Sequence, residues 1–149
     1  MSREVVVTST GAAFEQRIEA GPHRFRSDEP AAVGGADTGP GPYDLLLAAL
    51  GSCTAMTIGL YARRKRWSLE RVSVRLTHTR EHAQDCADCE EKPARIERIE
   101  RRIAFWGNLD AEQRKQLLAI AEKCPVHRTL TGTLEIRTTL ADSGSGGDQ

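Results

Sequence analysis

The cysteines are the residues of this sequence that can carry out the greatest variety of reactions. A cysteine thiolate can attack a peroxide, exchange with a disulfide or bind a metal ion. The chain of 149 residues contains four cysteines. Cys53 and Cys124 stand far apart, whereas Cys86 and Cys89 form a C-x-x-C pair. Nothing at the N-terminus resembles a secretory signal, so we expect a cytoplasmic protein with reduced thiols. The cysteines are therefore candidates for catalysis or metal binding rather than for structural disulfides.

The first cysteine lies in the apolar run GPYDLLLAALGSCTAM. Pro42 suits the entry to a helix and Asp44 adds a favourable charge in its first turn, so the sequence predicts a helix from about Tyr43 to Arg66. The positions three, four and seven residues from Cys53 are mainly apolar. We therefore expect a buried Cys53, which could be either a packing residue or a reagent.

Two other functions of this region are disfavoured. The segment from Leu45 to Ala62 is uncharged and precedes a basic run, Arg63 to Arg66, as a membrane span would. It is short and only moderately apolar for a span, so we favour a buried helix of a soluble domain. The basic run complements a helix C-terminus, and the chain balances 21 basic with 21 acidic residues. We expect neither membrane nor nucleic-acid binding.

The N-terminal third of the chain has the pattern of strands and turns. The stretches Val5 to Thr10 and Phe14 to Ala20 predict a hairpin. A third strand is expected around His23 to Arg26, and the glycine-rich and proline-rich segment from Gly34 to Pro42 predicts an irregular loop. This loop would lead directly into the long helix.

The C-terminal half adds strands and a second helix. Residues Val72 to Thr77 alternate between apolar and polar, which predicts a strand. The segment RIERIERRIAFWGNL fits either helical or alternating spacing, and we interpret it as a strand. Asp110 can cap a second helix that Pro125 ends, with Cys124 at its C-terminus. A last strand is expected from Thr133 to Leu140.

Two cysteine motifs in this order, GPGPYDLLLAALGSCTAM and, about seventy residues later, AEKCPVHRTL, resemble the family of osmotically inducible protein C (OsmC) and the organic hydroperoxide resistance proteins (Ohr). The resemblance extends from about Gly34 to Leu140. It implies an α+β, OsmC-like fold with an antiparallel or mixed β-sheet, a long central helix and the order β-β-β-α-β-β-α-β. It also implies an intertwined homodimer with the active site at the interface. We expect one domain, residues 1–140, and a flexible tail, residues 141–149.

The same resemblance implies a thiol-dependent peroxidase that reduces organic hydroperoxides. Cys53 would be the attacking thiol and Cys124 the resolving thiol, and a dithiol or lipoylated protein would reduce the resulting disulfide. The second thiol must condense with the sulfenic acid of the first before oxidation becomes irreversible. No organic cofactor is required. A helix C-terminus disfavours a thiolate, which suits Cys124 to the resolving role. His127 could be a base, an orienting donor or a surface residue, and we favour the surface.

A buried thiol needs a nearby cation, because burial raises its pKa. Relatives supply an arginine from the N-terminal β region, which makes Arg17, Arg24 and Arg26 the candidates here. Relatives often hold that arginine with a glutamate directly after the proline of the first motif. This chain has Tyr43 at that position, and Asp44 could substitute.

A second constellation, His82, Cys86 and Cys89, has the H-x3-C-x2-C spacing of three zinc ligands, and His78 or Asp85 could be the fourth. A thioredoxin-like motif, an auxiliary disulfide and an exposed acidic loop with two reduced thiols remain open alternatives. The alternative function is thus a metal-binding or small-molecule-binding module on the same fold, without peroxidase activity.

Overall fold

The structure is a computed structural model of one chain and describes residues 3–82 and 95–141. The described residues form five strands and three α-helices, which confirms the predicted α+β class. In chain order these are β1 (Val5–Ser9), β2 (Gln16–Ala20), β3 (His23–Ser27), α1 (Pro42–Lys65), β4 (Ser68–His82), β5 (Arg95–Asn108), α2 (Ala111–Ile120) and α3 (Pro125–Thr131).

The first three strands form an antiparallel meander with the order β1-β2-β3. Val5 pairs with Ala20 and Gln16 pairs with Ser27, so the predicted hairpin and third strand are confirmed. All five β1 residues are exposed. This sheet therefore adds little to the core of its own chain.

The loop between β3 and α1 is organised by one buried carboxylate. Asp28 accepts hydrogen bonds from the backbone N–H groups of Glu29, Ala36 and Thr38 at 2.8–3.2 Å. Gly39 lies so close to the strand before it that a Cβ would sit 2.0 Å from the Arg26 carbonyl oxygen. The irregular loop predicted from Gly34 to Pro42 is confirmed, and it sets where α1 begins.

The long helix α1 has bounds within one residue of those predicted. Asp44 accepts a hydrogen bond from the Gly41 N–H at 3.0 Å, and Arg66 ends the helix in the left-handed region at φ 57°. Among the described residues α1 is the one helix long and apolar enough to cross a membrane. This is weak evidence, because core helices of soluble proteins pass the same test, and α1 packs against β4, α2 and α3.

Strands β4 and β5 form a long antiparallel hairpin that runs from the Ser68–Asn108 pair to the His82–Arg95 pair. The predicted strand from Val72 is confirmed and extended at both ends. The strand interpretation of RIERIERRIAFWGNL is also confirmed, because its less exposed positions alternate from Ile99 to Gly107.

The core lies where α1 and α2 cover this hairpin. Its buried members are Ile58, Ala62, Leu109, Leu117, Ile120 and Ala121. Asp110 caps α2 as predicted, since its side chain accepts a hydrogen bond from the Gln113 N–H at 2.7 Å. The guanidinium of Arg114 donates to three carbonyl oxygens, those of Phe105, Gly107 and Leu109, and so ties α2 to the end of β5.

The C-terminal segment differs from the prediction in two ways. Pro125 ends the preceding helical segment, but it also begins α3, which the sequence reasoning missed. Residues Thr133 to Leu140 form no strand in the chain. A strand requires a neighbouring edge, and here Ile136 and Leu140 are 81% and 100% exposed.

Candidate active site

Cys53 occupies the middle of α1, beside the buried face that contains Leu50, Thr54 and Ile58. Its thiol is half-buried rather than fully buried as predicted. The reason is that Met56, one of the apolar neighbours on its side of the helix, is 71% exposed within this chain. Cys53 therefore keeps access to solvent.

Cys124 lies at the junction between α2 and α3 and has no exposed surface. It follows a 3₁₀ turn, Ala121–Lys123, that extends α2. Its backbone is extended, and its sulfur accepts a hydrogen bond from the His127 N–H at 3.4 Å. The expectation that a helix C-terminus disfavours a Cys124 thiolate is wrong, because the sulfur faces the N–H groups at the start of α3.

The two thiols lie within reach of each other, and each affects the pKa of the other. Burial is the largest influence on the pKa of the Cys53 thiol and raises it, and the adjacent Cys124 raises it further. Hydrogen bonds from the Val126 N–H and the Thr57 hydroxyl act in the opposite direction without reversing the shift. Cys53 is thus the thiol that keeps its proton and donates it toward Cys124.

Cys124 is shifted in the other direction. Burial is again the largest single influence and raises its pKa, but several hydrogen bonds outweigh it together and leave the pKa of Cys124 below its usual value. The donors are the His127 N–H, the Cys53 thiol, the Thr54 hydroxyl and the Val126 N–H. When the pair loses one proton, the negative charge is best placed on Cys124.

A buried arginine stands behind this pair. Arg101 of β5 is 10% exposed, and its Nη1 donates to the Thr54 Oγ1 at 2.9 Å. Thr54 is fully buried, and its hydroxyl lies 2.7 Å from the Leu50 carbonyl oxygen as well as within reach of Cys124. Arg101 therefore acts on Cys124 through one hydroxyl group.

The other side of Arg101 faces a histidine and a glutamate. Its Nη2 lies 3.3 Å from the His127 Nδ1 and 3.6 Å from a Glu122 carboxylate oxygen. Because a guanidinium can only donate, Nδ1 is the acceptor, and the His127 proton is on Nε2, which lies 3.0 Å from Glu122. The sequence reasoning favoured a surface role for His127. The side chain is instead 23% exposed and orients the site.

A cavity of about 520 Å³ opens beside this network. Tyr43 stacks on His78 in its wall, with ring centroids 4.6 Å apart, and the Arg80 guanidinium donates to the Tyr43 hydroxyl. Polar and apolar side chains both line the cavity, namely Tyr43, Leu46, Leu50, His78, Glu97, Ile99, Arg101, Glu122, His127, Leu130 and Thr131. Its size and mixed lining fit a small amphipathic molecule.

The N-terminal candidates for the activating cation are engaged elsewhere in the described chain. Arg24 and Arg26 form exposed ion pairs with Glu19 and Glu15. Arg17 is an exposed residue of β2. Asp44 caps α1, and none of its described contacts is with an arginine. Among the described residues, Arg101 of β5 is a cation that reaches the thiol pair, through the Thr54 hydroxyl.

The proposed zinc ligands cannot be assessed in the same way. Cys86 and Cys89 lie outside the described residues, as does Asp85, and the side chain of His82 is also outside them. No group of residues with metal-ligand character occurs in the part of the chain that the structure describes. Zinc binding by this loop stays a prediction, which elemental analysis of untagged protein and of a Cys86→Ser variant would test.

The fold, with a cysteine in the central helix that meets a second cysteine after α2, defines a class of two-thiol α+β domains. A family model described as OsmC-like protein matches residues 34–139, so the chain belongs to the OsmC-like family. This confirms the family resemblance. No curated protein matches the chain significantly.

Solved structures share the fold at low sequence identity. An OsmC-like protein from Mycoplasma pneumoniae has a TM-score of 0.70 and 17% identity, with 89% of each chain covered. An organic hydroperoxide resistance protein OsmC from Legionella pneumophila has a TM-score of 0.64 and 20% identity, covering 89% of this chain and 90% of its own. The organic hydroperoxide resistance protein OhrB of Bacillus subtilis has 0.61 and 18%, covering 89% and 92%.

Proposed function

We propose that this protein is a cytoplasmic, thiol-dependent peroxidase that reduces organic hydroperoxides. The observation that carries the proposal is the proximity of Cys53 and Cys124, which lie far apart in the sequence and within reach of each other in the fold. Membership of the OsmC-like family and the names of two structural neighbours, which are organic hydroperoxide resistance proteins, support it.

The proposed reaction divides the work between the two thiols. Cys53 attacks the peroxide because it is the accessible sulfur, and its proton passes to the Cys124 sulfur, which lies within reach. Cleavage of the O–O bond gives the Cys53 sulfenic acid and an alkoxide, which takes the proton from Cys124 and leaves as the alcohol. The Cys124 thiolate then attacks the sulfenic sulfur, and the departing hydroxide takes a proton from solvent and leaves as water as the disulfide forms. A dithiol or a lipoylated protein returns both residues to thiols.

The proposed substrate preference rests on the cavity beside Arg101 and His127, whose lining includes neither cysteine. The leucines and isoleucine in the wall of this cavity offer contacts to a hydrocarbon chain, and hydrogen peroxide has none to make. No organic cofactor enters these steps, since the electrons come from thiols.

The working unit is proposed to be a homodimer with its active site at the interface. Apolar side chains that the single chain leaves open support this proposal, among them Val5 at 56%, Met56 at 71% and Ile136 at 81% exposure. A second copy would cover them and could bring Arg17, Arg24 or Arg26 toward Cys53. Sedimentation of wild type and Met56→Glu tests it, because the charged variant should shift the protein to monomer.

Peroxide consumption tests the activity. With a dithiol present, wild type should consume cumene hydroperoxide faster than hydrogen peroxide, and Cys53→Ser should lose about 100-fold or more of the rate. Ser52→Ala, which changes the exposed neighbour of Cys53, is the matched control and should keep the wild-type rate. A Cys53→Ser variant with full activity would overturn the proposal.

A further inference from the structure

The fold gives the two sulfurs of a Cys53–Cys124 disulfide different surroundings. Cys124 has no exposed surface, whereas Cys53 is half-buried in the single chain. Several donors surround the Cys124 sulfur, and the Arg101 guanidinium reaches it through Thr54. Thiol–disulfide exchange depends on which sulfur can be attacked and on which sulfur leaves as the better thiolate.

We propose that an external thiolate reduces the disulfide by attacking Cys53, that Cys124 is the leaving thiolate, and that Arg101 stabilises it through the Thr54 hydroxyl. The inference rests on the proposed function for its biological meaning, but the exchange chemistry can be measured without any peroxide. The attacking sulfur bonds to the Cys53 sulfur as the bond between Cys53 and Cys124 breaks. The negative charge moves from the attacking thiolate to Cys124, and the second thiol of a dithiol then releases Cys53.

The Thr54 hydroxyl has the geometry for this task. Arg101 donates into its oxygen at 2.9 Å, so the hydroxyl proton remains free to be donated elsewhere. One acceptor is the Leu50 carbonyl oxygen at 2.7 Å, and the other is the Cys124 sulfur. When Cys124 becomes a thiolate, rotation of the hydroxyl can transfer its hydrogen bond from the carbonyl to the sulfur. Arg101 strengthens that bond by polarising the hydroxyl.

The lower pKa of Cys124 agrees with this assignment, since a thiol of lower pKa leaves faster. The backbone N–H groups of Val126 and His127 supply further donors that are already in place. The Arg101 Nη2 donates to the His127 Nδ1 at 3.3 Å, so the guanidinium is already in place when the charge develops. Arg101 and Thr54 are positioning residues, and the reacting atoms are the two sulfurs.

The attacked sulfur can be identified directly. A Cys86→Ser/Cys89→Ser background leaves Cys53 and Cys124 as the two cysteines of the chain. Diamide, rather than a peroxide, oxidises this protein to the disulfide. A short pulse of 2-mercaptoethanol is quenched with acid, free thiols are alkylated, and peptides are mapped by mass spectrometry. We expect the 2-mercaptoethanol adduct on Cys53 and the alkyl group on Cys124. An adduct on Cys124, equal amounts on both residues, or failure to form the disulfide would overturn the inference.

The role of the positioning residues is tested by the rate of the same exchange. Thr54→Val should slow it about tenfold, as expected for loss of one hydrogen bond to a charged group, and Thr54→Ser should restore most of the rate. Arg101→Gln should also slow it about tenfold, whereas Arg102→Gln, the adjacent exposed arginine of β5, should not. The pH at which the Cys124 thiolate appears should rise in the two slow variants. Equal slowing by Thr54→Val and Thr54→Ser, or an unchanged rate in Arg101→Gln, would contradict the role assigned here.

These measurements separate the inference from the proposed function. A protein that reduces no peroxide but exchanges at Cys53 would keep the inference and lose the peroxidase. An active peroxidase whose disulfide is attacked at Cys124 would support the proposed function and contradict the inference.

Discussion

The middle of α1 and the junction between α2 and α3 each contribute one cysteine to the site. The two cysteines differ in solvent exposure and in the direction of their pKa shifts. α1 leaves Cys53 accessible, and burial together with the neighbouring sulfur raises its pKa. The junction covers Cys124 fully and directs several hydrogen-bond donors at it, which lowers its pKa. The site thus divides access and ionisation between two sulfurs. Cys53 is the more exposed of the two sulfurs, and Cys124 is the one at which a negative charge is favoured.

The largest effect is expected when the covered sulfur is removed. In Cys124→Ser, Cys53 can still form a sulfenic acid but has no resolving thiol, so repeated turnover should fall about 100-fold and Cys53 should collect as sulfinic acid. Peroxide consumption and intact-protein mass measure both outcomes. Cys86→Ser is the control and should turn over normally. Sustained turnover in Cys124→Ser would show that another group resolves Cys53.

The second prediction concerns the stability that core packing of α2 contributes beside Cys124. Leu117 is fully buried, and its neighbour Leu118 is 53% exposed. Leu117→Ala should lower the free energy of unfolding by about 3 kcal/mol. The change in Leu118→Ala should stay within about 0.5 kcal/mol. Denaturant unfolding of both variants checks the difference, and equal losses would mean that the core does not lie under the junction.

The pH dependence of the two thiols sharpens the comparison further. The pKa of Cys124 is lowered and that of Cys53 is raised, so the Cys124 thiolate should form first as the pH increases. In the Cys86→Ser/Cys89→Ser background, ultraviolet absorbance of the thiolate in Cys53→Ser, which retains Cys124, should therefore rise at lower pH than in Cys124→Ser. The reverse order would contradict the division of roles between the two regions.

The smallest change in the rate of disulfide reduction is expected for Glu122, the exposed partner of Arg101 and His127. Glu122 is 67% exposed and lies 3.6 Å from Arg101, a pair that is screened by water. Glu122→Gln should free more of the Arg101 charge for the Thr54 hydroxyl and speed reduction of the disulfide by about twofold. Glu112→Gln, an exposed change on α2, should have no effect on that rate. A fall in the rate would mean that Glu122 mainly holds Arg101 in place.

Local patterns in the sequence predicted most of the elements but not all of the site. Pro42 and Asp44 located the start of α1, and alternation located β4 and β5. The contact between Cys53 and Cys124 is long-range, so only the family resemblance suggested it. Arg101 was missed although it lies at a core-facing position between Ile99 and Ile103, where a charge is unusual and therefore informative.

The two errors at the C-terminal end have separate physical origins. Pro125 was interpreted as a helix stop, but a proline also suits the first position of a new helix. That second role produces α3 and changes the surroundings of Cys124. The strand expected from Thr133 to Leu140 has a suitable alternation, but it pairs with none of the five strands of the described residues. Periodicity predicts whether a segment can be a strand and does not supply its neighbour.

The central claim is that Cys53 and Cys124 form one redox pair. Its most direct test is to mix the reduced protein with one equivalent of cumene hydroperoxide or of hydrogen peroxide and to map the disulfides by mass spectrometry. We predict a rapid bond between Cys53 and Cys124, formed faster with the organic peroxide, while Cys86 and Cys89 remain unpaired. No bond, or a bond confined to Cys86 and Cys89, would contradict the claim and favour a binding module.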